Sequence, residues 1–293
     1  MASTKNLSLI DSARDRIDEG QYNQKSIRLG DVDFHLFGRK ENGIGLPEIE
    51  RSLLKMWPLL AEYFKAKPNE IAIIDLDAPL GGGPLSPFVV GVFYSHTVRE
   101  EHQILIQQST GWSANNSTYN YISQYYSDFA QPLRAYVDDM LVHELGHLFF
   151  GWGLTKVEPE QQNNWWFAFG MGLLYDRMAW DQIYSSPSPL FSQIIAKWKN
   201  EFAGHRSIDQ RLINPDTNRD AEFGLQRLQT YGHGKAYEFL RTLRERIGSE
   251  PFDATMNKFV GANKVANYDC FLSEFEQNEK SVLSEVEKIF QVR

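Results

Sequence analysis

The chain has 293 residues, roughly twice a usual single domain, enough for one large domain or two closely packed lobes. Hydrophobic residues make up 42% and charged residues 23%, no apolar run approaches the roughly 18–20 residues of a membrane helix, and Cys270 as the only cysteine excludes an intrachain disulfide or a thiolate-rich metal centre. A net charge of −8 without a Lys/Arg cluster argues against nucleic acid or an anionic membrane as partner, and favours a small molecule or peptide.

Residues 1–30 are polar and charge-mixed, an N-terminal arm without the basic flank and apolar core of a signal peptide, so the expected location is cytoplasmic. "VDFHLFG" (32–38) alternates like a strand. "LPEIERSLLKMWPLLAEYF" (46–64) has helical spacing at Ile49, Leu53, Leu54, Trp57 and Leu60, and Pro58 is expected to kink it. "IAIIDLD" (71–77), "FVVGVFYSH" (88–96) and "HQILIQQST" (102–110) are β-branched runs between Gly/Pro-rich or charged breaks, which suits neighbouring strands of a mostly antiparallel sheet. After a polar loop at 111–120 the remaining segments are helical, with Gly, Pro and Asn falling between them.

The expected fold class is therefore α+β: a sheet lobe over 31–155 ending in the helix that carries "HELGH", then a helical lobe over 156–293, the two forming one catalytic-type unit. That helix stands at the junction, where ligand clefts commonly lie.

In "DDMLVHELGHLFF", His143 and His147 are four apart, so on a helix both imidazoles project from one face and can bind one ion. Glu144, one step round, can reach a metal-bound water as general base. A chance match on an ordinary amphipathic helix is the competing reading. The apolar run before the motif weighs against it, as does Gly146, which leaves room beside the metal face. Asp139 shares the face of His143 and either orients the imidazole or is a solvated or N-terminal-turn acid beside Asp138.

Together with "WFAFGMGLLYD" (166–176) and "TYGHGKAYEFLRTLRERIG" (230–248), the motif resembles the gluzincin metallopeptidases, and among them the catalytic domain of the glycyl aminopeptidase family, over roughly residues 30–280. The resemblance implies a thermolysin-like fold and a zinc cofactor. In that family the second stretch reads W-F-A-E-G and its glutamate is the third zinc ligand. Here Trp166, Phe167, Ala168 and Gly170 match, and the ligand position is Phe169, which cannot coordinate zinc.

Asp176 lies about 10 Å further along the helix at 1.5 Å per residue and is read as structural; Glu158, Glu160 and His233 are candidate replacement ligands. Tyr231 matches the family tyrosine that donates to the oxyanion of the tetrahedral intermediate, or is a helix-start tyrosine packed on the core. Glu101 and His102 fall where the family has an edge strand lining the substrate groove.

Three functions remain open. The first is a metallopeptidase-like hydrolase with an atypical zinc site, using His143, His147, Glu144 and Tyr231. The second is a non-peptidase enzyme acting on a small molecule with Glu144 as acid/base and no zinc, and the third is a catalytically silent binding protein.

Overall fold

The computed structural model describes residues 19–41, 44–76, 91–96, 101–107, 122–149, 165–202, 211–212, 234–260 and 268–293. The chain divides into two compact units, one of residues 1–59 and 67–145, the other of residues 60–66 and 146–293.

In the first unit, β1 (Tyr22–Leu29) and β2 (Val32–Arg39) form an antiparallel hairpin in which Leu29 faces Val32. Gly30 in the turn has a φ of 63°, a conformation glycine adopts without the Cβ penalty of other residues. Val32, Phe34 and Leu36 alternate into the core at period two, as the sequence predicts. Helix α1 (Leu46–Ala61) then leads to β3 (Glu70–Leu76). Ile49, Leu53, Trp57 and Leu60 are buried on one stripe, but Leu54, expected on it, is 48% exposed, and Met56 takes a core place instead. At about 100° per residue Leu54 falls just past the edge of the apolar face.

With β4 (Gly91–His96) and β5 (Glu101–Gln107) the sheet has the order β1-β2-β3-β5-β4. The expected mostly antiparallel sheet is corrected: β2–β3 and β3–β5 are parallel, β1–β2 and β4–β5 antiparallel. The reason lies in the connection, because a helix between β2 and β3 is the crossover that parallel neighbours require. β3 accordingly reads as an unbroken buried run, Ile71 to Ile74, rather than as an alternating one. The edge-strand expectation for Glu101 and His102 is also corrected, since β5 lies between β3 and β4, and among the described residues β1 and β4 end the sheet.

Helix α2 (Pro132–Phe149) carries the HELGH motif, and the division between the units falls within it, after Leu145. In the first unit its Asp138, fully buried, accepts from Arg51 Nη2 and Lys55 Nζ, each at 2.8 Å, which ties α2 to α1.

The second unit is helical: α3 (Trp165–Asp181), α4 (Pro189–Lys197), a π-helical turn (Trp198–Phe202), α5 (Ala236–Ile247), α6 (Ser249–Val260), α7 (Tyr268–Ser273) and α8 (Gln277–Phe290). α3 is apolar on nearly every side, as a helix at the centre of a core must be. Its Phe167 contacts the rings of Phe259, Tyr268 and Phe271. Helix starts follow capping chemistry: the Ser188 hydroxyl accepts from Phe191 N at 2.9 Å ahead of Pro189, and Glu276 and Glu279 form a reciprocal capping box.

Residues 60–66 belong to this unit because Asn257 binds them, accepting from Lys65 N and donating to Tyr63 O, both at 2.8 Å. Phe64 also stacks on Phe149 at 4.1 Å. Among the described residues no helix is long and apolar enough to cross a membrane.

Candidate functional site

The motif forms the continuous helix its spacing predicts. On α2, His143 is half-buried, and Glu144 and His147 are each 4% exposed. Their neighbours Leu141, Val142, Leu145 and Phe149 are buried, so this part of the helix is apolar around its polar residues. Burying a carboxylate costs several kcal/mol unless it is matched by partners, which an ordinary solvated glutamate on an amphipathic helix never meets.

The second unit holds His147 between two features of α3. The ring of Phe169 meets the imidazole edge to face, with centroids 5.4 Å apart and planes at 84°. One turn on, Gly172 presents bare backbone: a Cβ built there would lie 2.6 Å from His147 Nδ1. Gly146 does not leave room beside a metal face, as the sequence suggests; that space is filled by α3, because a Cβ on Gly146 would lie 2.6 Å from the carbonyl oxygen of Gly172 and 3.3 Å from Asp176 Cβ. Asp176 is buried. The two glycines let the end of α2 that belongs to the second unit approach α3 backbone to backbone beside His147.

Gly146→Ala should therefore destabilise the protein despite alanine's helix preference, worth about 1 kcal/mol over glycine. Overpacking against a backbone carbonyl typically costs about 1–3 kcal/mol, and here the obstacle cannot swing aside as a side chain would. Urea unfolding of the variant measures the net effect; a midpoint equal to or above wild type would show that the helices separate at no cost.

A neighbouring polar network serves packing. Tyr175 donates to Asp253 at 3.0 Å, and Asp253 takes a two-pronged pair from Arg244 at 2.9 and 2.6 Å. Burial, with the Asp253 carboxylate beside it, pushes the Tyr175 phenol well above its ordinary pKa, so it is a neutral donor.

In the first unit, Asp139 is 3% exposed and accepts from the Tyr126 hydroxyl at 2.9 Å. This rules out a solvated acid, and Tyr126 carried no signal in the sequence that would have singled it out. Tyr231 lies outside the described residues, as do Glu158, Glu160 and His233.

Among the described residues, no group of three or more His, Cys, Asp or Glu side chains could hold a metal ion. His143 and His147 offer two imidazoles on one helix, and the residue beside the second is a phenyl ring. The described residues thus do not fit a hydrolytic zinc, which normally keeps three protein ligands and a water.

No protein-family model matches the chain, and no curated protein matches it in sequence. Solved structures do match in fold. A glutamate-to-alanine mutant of the M1 zinc metallopeptidase from Deinococcus radiodurans superposes with a TM-score of 0.55 at 12% identity, covering 92% of this chain and 51% of that one. The same mutant bound to a Tyr-Ser-Ala substrate gives 0.54 at 12% identity, over 92% and 50% of the two chains. The unmutated enzyme gives 0.53 at 13%, again over 92% and 50%. The chain spans about half the length of these structures, and at this identity the likeness is one of fold.

Proposed function

We propose that the chain is a hydrolase on a metallopeptidase-type scaffold, acting on a peptide or a related small molecule. Glu144 is its general base and Tyr231 donates to the developing oxyanion. The observation that carries this reading is the buried Glu144 in the HELGH helix of a chain whose fold is similar to M1 zinc metallopeptidases. Glu144 takes a proton from the attacking water as its oxygen bonds to the acyl carbon, and returns it to the leaving group. A positioned base of this kind is typically worth about 10²–10⁴ in rate.

The metal site in this proposal is atypical. His143 and His147 are its imidazoles, and Phe169 stands where related helices carry the third ligand. The edge-to-face contact of Phe169 with His147 supports that alignment. A replacement ligand would come from Glu158, Glu160 or His233. The same contact favours a second reading, in which Glu144 is an acid/base for a small molecule without zinc.

Metal analysis of the purified protein, run beside a panel of aminoacyl and short-peptide substrates, separates the readings. The proposal expects bound zinc that is lost in His143→Ala, together with cleavage of at least one substrate. Turnover without metal would favour the second reading. No metal and no turnover would leave a binding protein.

A further inference from the structure

Asp138 and Asp139 are adjacent, but one residue turns a helix by about 100°, and their surroundings differ accordingly. Asp138 receives the cations Arg51 and Lys55. Asp139 receives the hydroxyl of Tyr126, itself buried with its ring edge-on to Tyr136 at 5.6 Å. Asp139 also stands one turn before His143, so the two share a face with Cβ atoms about 5–6 Å apart. A long helical side chain tends to lean back over the turn N-terminal to its own Cα, and for His143 that is the turn bearing Asp139.

We propose that Asp139, held by Tyr126, accepts a hydrogen bond from Nδ1–H of His143 and fixes the tautomer whose lone pair is on Nε2. Asp139 is then a positioning residue, and Tyr126 anchors it from the segment before α2. A carboxylate whose orientation is set by the phenol holds one ring orientation and makes Nε2 the outward donor atom, whatever that atom meets. The inference rests on the proposed role of His143 in the site, but needs no bound metal and no turnover to be tested.

Ring ¹⁵N spectra of the metal-free protein, at a pH where imidazoles are neutral, read the tautomer directly, with His143 identified by the signals lost in His143→Gln. Wild type should show Nδ1 protonated and Nε2 unprotonated. Asp139→Ala should move both nitrogens to averaged positions. Asp139→Asn should restore the wild-type pattern, because its amide oxygen still accepts from Nδ1–H while its NH₂ donates to the phenol oxygen. Tyr126→Phe should shift the pattern part of the way. An Nε2–H tautomer in wild type, or an unaltered pattern in Asp139→Ala, overturns the proposal. Where Asp139→Ala fails to fold, the wild-type pattern and Tyr126→Phe decide, and no change in Tyr126→Phe overturns it. A failed hydrolase assay would leave these spectra unchanged, so the two readings fail separately.

Discussion

Phe169→Glu should raise zinc affinity by more than the roughly 10–100-fold that loss of a residue merely orienting a ligand typically costs, because it adds a ligand outright. The wild-type ring lies against the His147 imidazole, so a carboxylate at this position enters the space beside that histidine. Without metal the variant should be less stable than wild type by about 1–3 kcal/mol, since it exchanges a ring contact for a half-buried charge. Zinc should reverse the sign. At free zinc 100 times the dissociation constant, binding to the folded state alone contributes about 2.7 kcal/mol. Calorimetric titration and thermal unfolding with and without zinc check both halves. Phe169→Gln separates charge from shape and should gain far less. An affinity unchanged from wild type would mean that position 169 is not where the third ligand of related helices stands.

Phe169 also shows how far a sequence carries this kind of argument. That His143 and His147 share a face of one helix follows from spacing alone, because the period of a helix decides which residues share a face. The meaning proposed for Phe169 comes only from a resemblance, as nothing local marks a phenylalanine as standing at a ligand position. The glycines were visible as letters, but the backbone opposite each one was not: Gly172 lies 26 residues beyond Gly146 in sequence, and their close approach belongs to the packing of two helices. The same holds for Tyr126 and Asp139, joined across a turn. In the sheet, β2 to β5 overlap stretches read as strands, whereas β1 lies in the polar stretch read as an N-terminal arm, its residues mostly exposed and without apolar alternation. The other error lay in the pairing, which is non-local, although α1 between β2 and β3 was already the signature of a parallel crossover.

The charge pair at 138 and 139 extends the point. Two adjacent aspartates in a helical segment look interchangeable, yet Asp138 accepts from Arg51 and Lys55 and Asp139 from the Tyr126 hydroxyl. That partition leaves α2 tied to α1 by ion pairs on one face. Asp139, about 100° round the helix from Asp138, accepts from the Tyr126 hydroxyl, the contact on which its proposed positioning role rests.

Glu144→Gln should reduce turnover about 10²–10⁴-fold while leaving the fold intact, and stability is what gives the result its meaning. Glutamine matches glutamate in shape but cannot take a proton from water. A glutamate buried for structural reasons would be matched by a fixed partner, and breaking a buried charge pair typically costs about 3–5 kcal/mol. A base held at a site is kept for chemistry, often at some expense of stability, so its neutral replacement should leave unfolding within about 1 kcal/mol of wild type or above it. The two roles thus predict opposite pairs of outcomes in one variant. Activity lost at unchanged stability supports the base; activity kept with a large fall in unfolding free energy assigns Glu144 to the core. Steady-state assay on whichever substrate the wild type cleaves, paired with denaturant unfolding, supplies both numbers. A KM that stays within about threefold while kcat falls would place the loss in the transition state rather than in substrate binding.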